Sequence, residues 1–353
     1  MTAIVSSARP RAPIGVLVMN VGSPEAPEPG PVRTYLREFL SDPRVIDIHP
    51  LARGLLLELV ILPTRPRASA EAYRKVWTSE GSPLLVNSRR FASELGRLLG
   101  PEYRVALGMR YGQPSISAAL DAFAAEGIDR VLLFPLYPQY ASSSTGTALE
   151  AAMAHAGKAE TVASLTAVPA FYDDPAFVGA FAERCRAAFE TPPDLVLFSF
   201  HGLPERHMRK GDTSGAHCLA SATCCDRLET VNRNCYRAQC YATARGIAHG
   251  LGLDAARYEV SFQSRLGRTP WIKPYTDEVV PGLPARGVKH LAVACPAFVA
   301  DCLETLEEVG MRLRHDFLRA GGETFTFVPS LNAEPSWIAA AAALVRRFAP
   351  VES

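Results

Sequence analysis

Short, almost uninterrupted apolar runs that stop at turn residues recur along this chain, each followed by a helical pattern. The stretch 14–20 (IGVLVMN) ends at Gly22-Ser23-Pro24, and a helical pattern follows over 32–39. A run without polar alternation suits a parallel strand covered on both faces. The same rhythm returns at 103–109, with a helix over 116–125 and a strand over 131–135. It begins again at 195–200 (LVLFSF), which leads directly to His201. A long helical stretch over 238–249, strands at 258–263 and 290–294, and a helix over about 299–318 complete the second series. Strands alternating with helices predict an α/β chain with parallel sheets flanked by helices. Two such series predict two similar lobes facing a cleft. We divide the chain into a flexible tail over 1–12, a first lobe over 13–166, a second over 167–345 and a tail over 346–353, with a crossover at 169–175. Ligands of such sheets bind outside the carboxyl ends of the strands.

With 353 residues, 48% of them hydrophobic, the chain is long enough for two cores of ordinary size. Thirty-seven Lys and Arg against thirty-six Asp and Glu leave a formal charge of +1, so no global field recruits nucleic acid. The first residues lack the apolar core of a secretory signal, and we expect a cytoplasmic protein. The apolar stretches 55–62 and 337–345 are too short to span a membrane. The second reads as a core helix. The first reads as a buried helix or as a surface lip offering peripheral membrane contact.

Eight cysteines in such a compartment argue against a disulfide framework. Five of them, Cys218, Cys224, Cys225, Cys235 and Cys240, crowd into a segment over 213–240 with the spacing C-x5-C-C-x9-C-x4-C. That density points to a metal: zinc, which favours four cysteines in two close pairs, or an iron-sulfur cluster.

His201 should project from the carboxyl end of its strand. A histidine bonded to a neighbouring carbonyl is the plain alternative. Asp301, Glu304, Glu308 and Arg312 follow at steps of three, four and four, one row on an α-helix that borders the apolar face of Ala300, Leu303 and Leu306. A solvated acidic face would have the same spacing. The hydroxyl-rich loop 135–146 (PLYPQYASSSTG) can cap a helix or hold an anion. In 261–275, aromatic and cationic residues alternate, as a flat aromatic ligand with carboxylate arms would require, or as a core Trp with surface Arg would give. Gly250-Leu251-Gly252-Leu253-Asp254-Ala255 imitates a dinucleotide fingerprint but ends a helix and precedes a strand, so it is a helix stop.

At these residues the sequence resembles the ferrochelatase family. The runs that carry the likeness are VLVMNVGSP, YLREFLSDPRV, GSPL, GMRYGQP, FPLYPQYASSSTGT, SFHGLPE, SFQSRLGRTPWIKPYTDE and CPAFVADCLETLEE. The resemblance implies two Rossmann-like lobes around a porphyrin cleft. It implies insertion of Fe²⁺, as substrate, into protoporphyrin IX, with His201 as metal ligand and Glu304 as its partner carboxylate. Porphyrin contacts are implied at Val21, Arg110, Tyr111, Tyr137, Ser143, Thr145 and Trp271, and a metal or proton relay at Asp301 and Glu308 on a helix with a π-bulge. Relatives that use coproporphyrin typically carry tyrosine where this chain has Val21, which points to protoporphyrin. One branch holds a 2Fe-2S cluster on an internal cysteine-rich segment, so four of the five clustered cysteines are implied as its ligands. A chelatase for cobalt or nickel and a non-catalytic haem or iron-sulfur carrier are the rival classes.

Overall fold

The structure, a computed structural model, describes residues 12–265, 267 and 269–351. The expected tail over 1–12 therefore lies, up to residue 11, outside the described residues. Two four-stranded parallel sheets form the frame. The first holds β1 (Ile14–Gly22), β2 (Tyr103–Tyr111), β3 (Arg130–Pro135) and β4 (Ser164–Ala167) in the order β2-β1-β3-β4. The second holds β5 (Leu195–His201), β6 (Tyr258–Gln263), β7 (His290–Ala294) and β8 (Thr324–Phe327) in the order β6-β5-β7-β8. The same topology is thus built twice, as the repeated apolar runs predicted. The two strands absent from that prediction, β4 and β8, are four-residue edges with little burial, too short to show a period.

The helices of the first half are α1 (Pro29–Ser41), α2 (Pro50–Leu56), α3 (Leu62–Val76), α4 (Pro83–Leu99), α5 (Ile116–Ala125) and α6 (Thr147–Ala156). Those of the second are α7 (Pro175–Ala188), α8 (Glu205–Gly211), α9 (Tyr236–Leu251), α10 (Thr276–Val279), α11 (Arg314–Arg319) and α12 (Pro335–Phe348). Helix α12 contains the expected core stretch 337–345 and runs three residues into the segment assigned to the C-terminal tail.

Strand side chains alternate between faces, and here each face has its own core. Val16, Val18, Leu132 and Phe134 of the first sheet join Val196, Phe198 and Phe200 of the second in one shared core. Leu17, Met19 and Leu133 face an outer cluster of the first lobe, and Leu195, Leu197 and Val293 one of the second. Helices α4, α7, α9 and α12 contribute to the shared core, with Trp337 of α12 at its centre. The lobes are therefore fused along their inner faces, and their strands' carboxyl ends open on a common cleft.

The stretch 55–62 is a lip. Helix α2 and the π-helical turn Leu57–Ile61 turn Leu57 and Leu62 inward and leave Leu51, Leu55, Leu59 and Val60 more than half exposed. Among the described residues no helix is long and apolar enough to cross a membrane.

Candidate active site

In a sheet ordered β2-β1-β3-β4, successive strands are added to opposite sides of β1, and the crevice at that reversal is where ligands bind. The corresponding strand ends are β1 and β3 in one lobe, β5 and β7 in the other. β1 ends at Gly22, whose φ of +108° and the 1.8 Å that would separate its Cβ from the Tyr111 carbonyl oxygen admit only glycine. Beside it Val21 packs with Leu84 against Phe298, Ala300 and Cys302 of the other lobe, a small apolar cluster that joins the ends of β1 and β7.

His201 closes β5. Its Nδ1 lies 2.6 Å from the Gly202 carbonyl oxygen, which can only accept, so in the neutral ring Nδ1 carries the proton and Nε2 the lone pair. The bond to a neighbouring carbonyl is thus present, and it orients the ring as a metal-ligating histidine is commonly oriented. Tyr236 donates to the His201 carbonyl oxygen at 2.9 Å. Gln263, paired with His201 in the sheet register, accepts from Ser199 at 2.6 Å and donates to the Glu304 backbone oxygen at 3.3 Å. It ties the histidine strand to the carboxylate helix. The sequence signal was its place at the end of β6, beside the strand end bearing His201.

The helix after β7 begins at Leu303, not at 299, and is a π-helix over Glu304–Leu313 before it continues as α11. This alters the expected acidic row. Asp301 precedes the helix, is buried, and accepts from Thr305 Oγ1, Ser330 N and Asn332 Nδ2 at 3.0, 3.1 and 2.8 Å. Its carboxylate fastens the helix start to the 330–332 loop and is spent there, so we withdraw it from the relay. Glu304 and Glu308 stay together. Burial pushes the Glu308 carboxyl up and the Glu304 charge adds to this, against the opposing Ser264 hydrogen bond and His201 charge. Ser264 donates to Glu308 through N and Oγ at 2.9 and 2.5 Å. The buried phenols of Tyr35 and Tyr73 sense the Glu304 charge, burial being the main reason both are raised. Neither tyrosine was anticipated.

Several expected porphyrin contacts are placed otherwise. Tyr111 is 1% exposed and donates to Asp42 Oδ2 at 2.9 Å, and Thr145 is buried, so neither presents a surface to a ligand. Arg110 donates to Asp42 and Thr147 at 2.7 Å each. This group knots α1, β2 and α6 together. Ser143 and Tyr137 are half-buried, Ser143 on the π-turn Ser142–Gly146 that leads into α6. The loop around them serves lobe contact: Gln139 donates to Thr243 at 2.9 Å and Tyr140 N to Gln239 at 2.7 Å. Arg265, one of the cations of 261–275, is held by Asp277 and Glu278 at 2.7 and 2.8 Å, which fits the alternative of a surface arginine. Trp271 lies beside Pro204, bridged to it in the SFHGLPE loop.

All eight cysteines are free, and the five clustered ones are buried. Asp212 nucleates their loop by accepting from Ser214, His217 N and Cys218 N, which hold its carboxyl well below the usual range. Asn232 locks the other side, donating to the Cys224 and Arg227 carbonyls. Cys224 and Cys225 sulfurs lie 3.7 Å apart. Cys225 and Cys218 both interact with Cys235. Cys240 interacts instead with Tyr236 of α9. Among the described residues no three His, Cys, Asp or Glu side chains are gathered as a site for a metal ion.

A histidine at the end of β5 and a carboxylate pair on the helix after the neighbouring β7, both in the second of two fused parallel α/β lobes, give the chain the form of a metal chelatase. The fold is shared with SirB from Bacillus subtilis, solved with Fe3+ (TM-score 0.54, 13% identity, 96% of each chain). It is shared as well with a multi-domain protein of Deinococcus radiodurans described as structurally similar to chelatases (TM-score 0.51, 12% identity, 95% of this chain and 55% of that one). At such identities these likenesses concern the fold alone. The ferrochelatase family model matches residues 13–349. The ferrochelatase of Azotobacter vinelandii is 49% identical over 94% of this chain and 98% of its own length, and that of Coxiella burnetii 45% identical over 95% and 93%. The chain belongs to the ferrochelatase family.

Proposed function

We propose that this chain inserts Fe²⁺ into protoporphyrin IX to give protohaem, the terminal step of haem synthesis, with His201 and Glu304 carrying the chemistry. The observation that carries this reading is the His201 ring, its Nδ1 committed to Gly202 and its Nε2 lone pair available, in the same electrostatic neighbourhood as Glu304 and Glu308. When a divalent ion enters the macrocycle, two pyrrole N–H protons must leave. An imidazole supplies a borderline ligand for the shedding of waters, and carboxylates supply proton acceptors within reach. Glu308, raised by burial, is suited to receive a proton passed on by Glu304. Val21 at the end of β1 supports protoporphyrin as the ring. Steady-state metalation of protoporphyrin IX by the purified protein, with Fe²⁺, Co²⁺ and Ni²⁺ compared, tests the reading. Absence of iron turnover sinks it in favour of a carrier or of a chelatase for another metal.

The cysteine segment supports a 2Fe-2S cluster. Cys218, Cys224, Cys225 and Cys235 form a chain of neighbouring buried sulfurs beside the Arg237 cation. A two-iron cluster is ligated by four thiolates, two to each iron, so it asks for linked pairs rather than closure on one point. Those four residues would hold it, and Cys240 is the spare thiol. Bound, it would supply a metal clip that restrains the loop and an electron-transfer couple. Iron and labile sulfide analysis distinguishes it from stoichiometric zinc. The exposed leucines of the lip support peripheral membrane contact, and eight free thiols support a cytoplasmic location.

A further inference from the structure

We infer that Glu307 is a positioning residue that keeps Arg312 away from Glu308, an inference that rests on the chelatase reading of this site. Glu307 is 4% exposed, and its partners are cations rather than the groups around the acid pair. Its carboxylate accepts from Lys75 Nζ at 2.9 Å and from Arg312 Nε at 2.8 Å, two cations that are themselves more than half exposed. The pairing with Arg312 spans five residues. On an α-helix, positions five apart lie about 140° around the axis from each other, and Arg312 would lie one turn from Glu308 at the favoured spacing of four. A π-helix, with its i→i+5 hydrogen bonds, swings Glu307 to the side of Arg312 while Glu308 stays near it. The register of Glu304–Leu313 therefore makes Glu307 a competitor of Glu308 for the guanidinium. Glu307 takes the direct ion pair, while Glu308 accepts from Ser264 and feels Arg312 only through its charge.

Removing the Glu307 charge frees a cation one short reach from an acid the reaction uses. Arg312 then pairs with Glu308 and withdraws it from proton transfer, without touching the porphyrin walls. The test is a mutant cycle on the full-length protein, measuring iron insertion into protoporphyrin IX. Glu307→Gln is expected to lower kcat on the order of tenfold or more with the porphyrin KM little changed. Arg312→Met alone leaves Glu307 paired to Lys75, and kcat is expected to stay within about twofold of wild type. The double variant removes the freed cation, and most of the lost kcat is expected to return. A residue that merely stabilised the fold would give a double variant no better than Glu307→Gln. That result overturns the inference, as does a fully active Glu307→Gln or an Arg312→Met as impaired as Glu307→Gln. Should Glu307→Gln not fold, Glu307→Met/Arg312→Met, which replaces the pair by apolar groups, must still turn over at near wild-type kcat. Turnover absent from the wild type counts against the chelatase reading, whereas intact wild-type turnover with no recovery in the double variant counts against the role of Glu307 alone.

Discussion

Replacing Asp47 by asparagine tests how the two lobes are held together beyond the His201 strand end. Asp47 follows α1 in the first lobe, and its side chain is only 10% exposed. It accepts from Lys210 Nζ at 2.6 Å and from Arg206 Nε, both on α8, the helix that begins four residues after His201. Burial pushes the Asp47 carboxyl up, but the hydrogen bonds of Lys210 and Arg206, with the charge of His207, outweigh it and hold it at about 2 against an ordinary 3.8. A shift of that size corresponds to about 2.4 kcal/mol at full strength. Lys210 is 65% exposed, and solvent screening reduces the expected contribution to about 1–2 kcal/mol. Because the folded value is depressed, this stability is present above the unfolded value near 3.8 and is lost as pH falls through it towards 2. Asp47→Asn should therefore lower Tm by about 1–3 °C at pH 7. The deficit should be constant from pH 7 to 5 and shrink below pH 4. Thermal unfolding of both proteins across that range measures it. Equal Tm values at pH 7, or a deficit that persists undiminished at pH 3, would show that Asp47 does not clasp the lobes by charge.

Three further outcomes are expected. His201→Ala should fold normally, by circular dichroism and Tm, while metalation falls by orders of magnitude; near-normal turnover in the folded variant would remove His201 from the mechanism. Cys235→Ser should abolish the visible absorbance and labile sulfide of the proposed cluster and lower thermal stability, while the folded fraction keeps its iron-insertion activity, because the proposed chemistry lies with His201, Glu304 and Glu308, outside the cysteine segment. If turnover vanished with porphyrin binding intact, the cluster would have to act in catalysis. Trp337→Ala should cost about 3–5 kcal/mol in denaturant unfolding, since the ring is fully buried; a loss under 1 kcal/mol would mean that the aromatic core collapses around the gap.

Six of eight strands were legible because a parallel strand buried on both faces writes itself as an apolar run, as IGVLVMN and LVLFSF do. Strands β4 and β8 left no such trace: four residues on an edge carry too few buried side chains. His201 was legible from its position after a strand and before a Gly-Leu-Pro turn. Its carboxylate partner was legible by family likeness, but not the state of the helix that bears it. An α-period joined Asp301 to Glu304 and Arg312 to Glu308. A late helix start detached Asp301 and a π-register gave Arg312 to Glu307 as its direct partner, and the hydrogen bonds that fix Asp301 and Glu308 come from Ser330, Asn332 and Ser264, remote in sequence. Likewise Tyr111 and Thr145 sit in family motifs, yet what withdraws Tyr111 is Asp42, a residue sixty-nine positions away.

The packing of α12 bears on how the chain is made. Trp337 stacks on Phe91 and Phe171, with ring centroids 5.6 and 5.7 Å away, and meets Phe134 and Phe177 edge-on. Phe91 and Phe134 belong to the first lobe, so α12, the last helix among the described residues, plugs the core of the first half. Domains ordinarily fold in the order in which they emerge during synthesis. Here the N-terminal half leaves the ribosome with an aromatic socket open, and the socket stays open until the final turn of α12 has been released. A chain cut short before Pro335 would lose α12 alone of the described helices, yet it would keep a greasy hole in the oldest part of the nascent protein, where chaperones and proteases read incompleteness.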